Sequence, residues 1–155
     1  MYTYIVDFES LYDKNLKTCF IQEFAYYDLK SNTAHNDFFR LPLHIDYKKY
    51  WYQSKNVNHI PKDYGKLSFQ IIRDFLNQDA IFYVKGIQKL KFLKQITNKK
   101  IINLDDLGCP KYSLLTNRNV ESLCSFICHS DCHKNCALNK VYKLNDWIKL
   151  NNFSL

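Results

Sequence analysis

Hydrophobic and polar residues alternate over the first forty residues in a way that is typical of β-strands. Tyr2, Tyr4 and Val6 occupy every second position of the first such segment, and aromatic and β-branched residues dominate the next. Polar, turn-forming residues separate the segments, which favours antiparallel strands that are neighbours in sequence. The pattern predicts, in chain order, strand 2–8, turn 10–16, strand 17–27, turn 30–32 and strand 33–40.

Apolar residues change to helical spacing in the rest of the chain, with two short apolar runs between the helices. We expect these runs, 80–84 and 101–104, to be buried strands, and Gly86 permits a tight turn after the first. Ile71 and Ile87 are assigned to the buried faces of their helices. The predicted helices are 66–77, 87–97, 117–128 and a last one that carries Ala137, Val141, Leu144 and Ile148. This order predicts a single α/β domain, residues 1–155, with a mixed sheet covered by helices.

The composition is that of an ordinary globular protein. Hydrophobic residues make up 46% of the 155 and charged residues 24%, and Gly and Pro number only 3 each, which excludes collagenous and low-complexity chains. No apolar run approaches the roughly 20 residues of a membrane helix, so we expect no membrane association. The first residues lack the basic and apolar regions of a secretory signal. We therefore expect an intracellular protein, cytoplasmic or nuclear, in a reducing compartment.

Basic residues outnumber acidic ones, 22 to 15, and give a net charge of +7. This balance favours an anionic partner such as nucleic acid, although lysines also serve solubility alone. The candidate phosphate contacts are Lys85, Lys89, Lys91 and Lys94. On an amphipathic helix such lysines are often simply solvated. Aromatic residues at 47–52, within the aperiodic stretch 41–65, are candidates either for stacking on unpaired bases or for packing on the sheet.

Cysteine and histidine are concentrated in one segment near the C-terminus, residues 121–136. Its candidate metal ligands are Cys124, Cys128, His129, Cys132, His133 and Cys136. Ligands of this type at this density are typical of a structural zinc site, which takes four Cys or His ligands. The spacing favours Cys124, Cys128, one of the two histidines and Cys136, with Cys132 as the main competitor. The alternatives are buried thiols that pack a helix pair, and a redox pair or disulfide.

Two carboxylates end the first predicted strand. Alternation places Asp7 and Glu9 beside each other on the same face of that strand. Nucleases that use two metal ions hold them with such pairs, between the attacking and leaving oxygens. Because a D-x-E triplet is common by chance, its place in the fold decides its significance.

Several short motifs follow Asp7-Phe8-Glu9 in an order that resembles the DEDD (DnaQ-type) 3′–5′ exonucleases, whose fold is RNase H-like. The turn Asn58-His59-Ile60-Pro61-Lys62-Asp63 is similar to the family's HGI turn, residues 83–93 to its GHNxxFDxxFL motif, and Cys136-Ala137-Leu138 to its HxAL. The resemblance implies an RNase H-like mixed sheet, a three-stranded antiparallel meander plus parallel strands, flanked by helices.

The resemblance also implies that most of the family's catalytic residues have been replaced. Lys89 stands where the second-motif Asp is expected, Cys136 where the third-motif His is, and Val141 where the last Asp is. Asp7 and Glu9 remain as the catalytic remnant, and Lys89 is expected to neutralise them in part. Ordinary exonuclease activity is therefore not expected.

The Maelstrom domain of the piRNA pathway shows a similar pattern, because it is an RNase H-like fold with a zinc site in place of the DEDD residues. Glu121, Cys124, His129 and Cys136 resemble its Glu-Cys-His-Cys ligands. This likeness implies a catalytically degenerate domain, stabilised by structural zinc, that binds single-stranded RNA or DNA. Two alternatives remain: an active nuclease that uses Asp7 and Glu9 with Mg²⁺ or Mn²⁺, and a protein-interaction module of a viral, mobile-element or RNA-silencing complex.

Overall fold

Five strands form one mixed sheet in the computed structural model, which describes residues 1–15, 17–41, 65, 67–115 and 136–153. The strands are β1 (Tyr2–Asp13), β2 (Thr18–Asp28), β3 (Thr33–Phe38), β4 (Ala80–Val84) and β5 (Ile101–Asn103), in the spatial order β3-β2-β1-β4-β5. β1, β2 and β3 are antiparallel neighbours, whereas β4 pairs parallel with β1 and β5 parallel with β4. The predicted α/β class is confirmed, and β1 is the central strand.

β1 is longer than the hydrophobic pattern indicates, so the predicted turn at 10–16 is wrong. Strand pairing continues to Asp13, past a one-residue shift of register between Glu9 and Ser10. Gln22 is the extra residue of β2 at this bulge. Polar residues that resemble a turn in the sequence are therefore strand residues, and the chain reverses only after Asp13.

Two helices, α1 (Gln70–Leu76) and α2 (Ile87–Ile96), cover one face of the sheet. Ile72 of α1 and Leu93 of α2 are almost fully buried there, against a row of β1 side chains. That row consists of Tyr4, Val6 and Phe8. The alternation that predicts β1 thus also supplies the apolar face on which these helices pack.

α1 begins later than predicted, and two isoleucines assigned to buried faces are exposed. Leu67 forms a parallel bridge with Phe39, so this extended residue cannot belong to the helix, which begins at Gln70. Ile71 then lies on the solvent side of the first turn and is 44% exposed. Ile87 is the first residue of α2, directly after the turn at Gly86, and is 51% exposed.

α3 (Ala137–Leu150) covers the opposite face of the sheet, where it packs on β1 and β2. Its buried apolar residues repeat at helical spacing, as predicted. They include Ala137, Val141, Leu144 and Ile148. The described helices include none that is long and apolar enough to cross a membrane.

Several predicted features lie outside the described residues. They are the helix 117–128, the turn 58–63, and the aromatic residues at 47–52. Their predictions therefore stand as stated.

Candidate functional site

Two carboxylates of β1 face α3. Asp7 is fully buried, with 0% exposure, and Glu9 is 8% exposed. Both contact the same lysine of α3, so they share one face of the strand, as alternation predicts. Because burying an ionised carboxylate without a partner is costly, the surroundings of this pair determine what it can do.

Two ammonium groups lie against these carboxylates, and together they form the carboxylate–lysine cluster: Asp7, Glu9, Lys89 and Lys140. Lys89, from α2, donates a hydrogen bond to Asp7 Oδ1 at 2.5 Å. Lys140, from the first turn of α3, donates to Glu9 Oε1 at 2.8 Å and lies 4.0 Å from Asp7 Oδ2. Two negative and two positive charges therefore balance within the cluster.

Tyr112 packs beside the cluster, at the start of a 3₁₀ turn (Tyr112–Leu114) that follows β5. Its hydroxyl donates a hydrogen bond to Asp7 Oδ1 at 3.3 Å, and Lys140 Nζ lies 5.2 Å from the centre of its ring. Burial raises the pKa of Tyr112 well above its ordinary value, and the negative charge of Asp7 raises it further. The phenol therefore remains protonated and serves as a donor to Asp7.

Burial and ion pairing act in opposite directions on the cluster. Burial raises the pKa of Glu9 above its ordinary value, and Lys140 and Lys89 offset part of that rise. Burial lowers the pKa of Lys140, but Asp7 and Glu9 outweigh that effect and raise the pKa above its ordinary value of 10.5. Lys140 therefore keeps its charge throughout the physiological range and compensates both carboxylates.

A divalent ion would have to bind carboxylates that the two lysines already neutralise. Mg²⁺ binds carboxylate oxygens at about 2.0–2.1 Å, whereas Lys89 and Lys140 lie 2.5 and 2.8 Å from oxygens of Asp7 and Glu9. These ammonium groups both block the approach of a cation and repel it. Within the described ranges, no group of three or more Cys, His, Asp or Glu residues is arranged to hold a metal ion. In this arrangement the cluster joins α2 and α3 to β1 through ion pairs.

The predicted phosphate contacts divide into two pairs with different surroundings. Lys89 contacts Asp7, and Lys85 forms an ion pair with Asp105. Lys91 and Lys94 are exposed on α2. Only the second pair presents its charge freely to solvent, so a phosphate-binding surface has to be built around these two residues.

One of the predicted zinc ligands, Cys136, lies within the described residues. The others, which lie outside them, are Cys124, Cys128, His129, Cys132 and His133. Cys136 directly precedes α3, and its buried thiol donates a hydrogen bond to Glu23 Oε2 of β2 at 3.5 Å. The other oxygen of Glu23 accepts a hydrogen bond at 2.6 Å from the backbone N–H of Ala137. A thiol and a carboxylate thus meet at the N-terminus of α3, where the helix dipole favours negative charge.

Sequence reasoning missed Lys140, Tyr112 and Glu23. The antiparallel register of β1 and β2 pairs Glu23 directly with Glu9, and two like charges side by side require a neutralising group nearby. That register is itself a result of strand pairing, so the residue pattern along the chain carries no signal for this lysine. Which lysine it is depends on how α3 packs against the sheet, and residue spacing along the chain does not contain that information.

No protein-family model matches this chain, and no curated protein sequence matches it. Function therefore has to be inferred from the cluster and from the charge of the surfaces around it.

Proposed function

We propose that this protein is a nucleic-acid-binding domain with an RNase H-like fold that does not cut its ligand. The contacts of Lys89 and Lys140 with Asp7 and Glu9 carry this proposal. An RNase H-like nuclease needs its carboxylates free for metal ions. Here two ammonium groups neutralise them, which leaves binding as the remaining activity.

The arrangement of the sheet supports the RNase H-like part of the proposal. An antiparallel meander of β1, β2 and β3 continues into the parallel strands β4 and β5, which is the sheet that the resemblance implies. The two remnant carboxylates lie on the central strand. Lys89, which occupies the expected position of a family carboxylate, contacts Asp7, as it should if the alignment of that motif is correct.

The charge of the protein supports nucleic acid as the partner. The net charge is +7, and Lys91 and Lys94 are exposed on the helix that also carries Lys89. Exposed lysines attract phosphates and release counterions, which gives affinity with little sequence preference. Single-stranded RNA or DNA is the ligand class we propose.

A structural zinc ion is the second part of the proposal. Cys136 and Glu23 fit a zinc site in chemistry, because a thiolate and a carboxylate are both zinc ligands and here lie side by side in a buried position. Cys136 would hold the ion with residues of the segment 121–133, and Glu23, which accepts hydrogen bonds from Asn36, Cys136 and Ala137, would act as a ligand or as a partner of the thiol. When bound, zinc would supply folding energy by joining the start of α3 to that segment.

The test is binding and digestion on one protein preparation. We expect a fluorescein-labelled oligo(U) or oligo(dT) to bind, with log K falling linearly with log salt concentration at a slope of about −0.7 per phosphate contact. We expect the same strand to remain intact with Mg²⁺ or Mn²⁺. Digestion that is lost in Asp7→Asn would establish the nuclease alternative. A folded protein that binds neither oligo(U) nor oligo(dT) would favour the protein-interaction module.

A further inference from the structure

A groove lies on the face of the sheet opposite Asp7 and Glu9. It consists of two cavities of about 570 and 560 Å³, which share Cys19, Phe92 and Gln95 in their walls and therefore adjoin. Phe8 of β1 also lines it. Asp7 and Glu9, the neighbours of Phe8 in sequence, point to the opposite face of the sheet. We call this feature the α2 groove.

The walls of the α2 groove carry positive charge only. Basic residues from four separate segments line it: Lys17, Arg40, Arg73, Lys89 and Lys91. No acidic residue is among the residues that line the two cavities in the described part of the chain. Lys89 is paired with Asp7, and the other four are exposed at the rim. A ligand with regularly spaced negative charges complements this distribution.

Aromatic rings form much of the floor and sides of the α2 groove. Tyr12, at the end of β1, is 41% exposed, and Phe69 lies beneath the Arg73 guanidinium, 5.3 Å from the ring centre. Phe20 and the almost fully buried rings of Phe8 and Phe92 add to the apolar lining, which also carries the amides of Gln88 and Gln95. Rings can stack on bases, amides can bond base edges, and the cations at the rim can contact phosphates.

We propose that the α2 groove is the binding site for a short stretch of single-stranded nucleic acid, with its bases towards the rings and its phosphates at the rim. This inference rests on the proposed function and adds the location of the ligand. It places the ligand on the other face of the sheet from Asp7 and Glu9, with Lys89 as a residue that the groove and the cluster share. A duplex does not fit this description, because its bases are stacked on each other and unavailable to the rings.

A pair of charge-matched double variants tests the location. Arg73→Glu with Lys91→Glu reverses two cations at the rim, whereas Lys30→Glu with Lys100→Glu makes the same change in net charge at exposed lysines that do not line the groove. All four residues are exposed, so both proteins should fold, as circular dichroism would check. Binding of labelled oligo(U) and oligo(dT) is then measured over a range of salt concentrations.

We expect the groove variant to bind on the order of tenfold more weakly than the control variant, with a salt slope smaller by about 1.4, the value for two lost phosphate contacts. Tyr12→Ala should weaken binding at least about fivefold through lost stacking, with an unchanged salt slope. Equal losses in the two double variants would overturn the groove as the site while the wild type still binds. A wild type that binds neither strand would instead overturn the proposed function and this inference with it.

A second measurement uses the unaltered protein. Oligo(U) that contains 4-thiouridine is crosslinked by light, and the attached peptides are identified by mass spectrometry. We expect attachment at Tyr12, Phe20 or Phe69. Attachment confined to α3, on the other face of the sheet, would contradict the proposal.

Discussion

The Nζ atom of Lys89 lies 2.5 Å from Oδ1 of Asp7, so a residue of α2 neutralises a fully buried carboxylate of the central strand. This contact joins two elements that are more than eighty residues apart in sequence. Lys89 also stands at the position where the resemblance to DEDD exonucleases implies a third carboxylate.

Lys89→Ala should destabilise the protein by about 3 kcal/mol, because it leaves the buried Asp7 with the more distant Lys140 as its counter-charge among the described residues. The measurement is the free energy of unfolding in urea. Lys91→Ala, on the same helix but exposed, is the matched control and should change that free energy by no more than about 0.5 kcal/mol. Equal effects of the two variants would show that the ion pair contributes nothing to stability.

Lys89→Asp should create a site for Mn²⁺ or Mg²⁺, because it removes an ammonium group and adds a third carboxylate beside Asp7 and Glu9. We expect the melting temperature of this variant to rise when Mn²⁺ is added, with a stabilisation of about 2.7 kcal/mol at a concentration one hundred times the Kd. Lys89→Asn is the matched control, because asparagine has nearly the size of aspartate but no charge. Its melting temperature should rise much less when Mn²⁺ is added. If the wild type gained as much as Lys89→Asp, metal would be binding elsewhere.

Stability should fall as the pH rises above about 10. The pKa of Tyr112 is raised from 10.0 by burial and by Asp7, and the net effect of Asp7 and Glu9 raises that of Lys140 from 10.5. The unfolded chain therefore loses these protons first, which favours unfolding in alkaline solution. The measurement is the free energy of unfolding between about pH 8 and pH 11.

Tyr112→Phe should make this loss of stability shallower, because it removes one of the groups whose pKa is raised on folding. Tyr12→Phe, which removes a hydroxyl from a more exposed ring, is the matched control. If both phenylalanine variants gave the wild-type profile, the hydrogen bond from Tyr112 to Asp7 would not contribute to the linkage.

Purified protein should carry about one zinc ion per chain, and Cys136→Ser should lose it, because a hydroxyl is a poor replacement for a thiolate ligand. Cys19→Ser is the matched control, because Cys19 lies on the opposite face of the sheet and outside the proposed set. Metal analysis by mass spectrometry gives the stoichiometry. Wild-type protein without zinc, or equal zinc in both variants, would contradict the assignment of Cys136.

The strands show how much of the fold residue patterns can predict. Alternation at Tyr2, Tyr4 and Val6 correctly predicts β1 and the shared face of Asp7 and Glu9. The same pattern places the end of β1 too early, because a bulge in the neighbouring strand lets polar residues continue the pairing. Where a strand ends depends on its pairing with the neighbouring strand. The register of that pairing cannot be read from the sequence of one strand alone.

The site was predictable to a smaller extent. Lys89 could be placed near Asp7 only through the resemblance, since eighty intervening residues provide no spacing rule. Lys140 and Tyr112 reach the cluster because α3 and the turn after β5 pack on β1, a tertiary arrangement that hydrophobic spacing does not determine. The α2 groove likewise combines residues from four segments, each of which alone resembles an ordinary basic or aromatic surface.

β1 carries Asp7 and Glu9 on one face and the rings of Tyr4 and Phe8 on the other. Successive residues of a strand point to opposite faces, so a shift of one residue is enough to exchange the two sets. Deleting or inserting one residue between Tyr4 and Glu9 would exchange them, so that a ring would lie against Lys140 and a carboxylate beneath α2. Neither helix could then pack as it does now. The length of this segment is consequently under much stricter constraint than its individual side chains, whereas the exposed turn at 30–32 can tolerate changes in length.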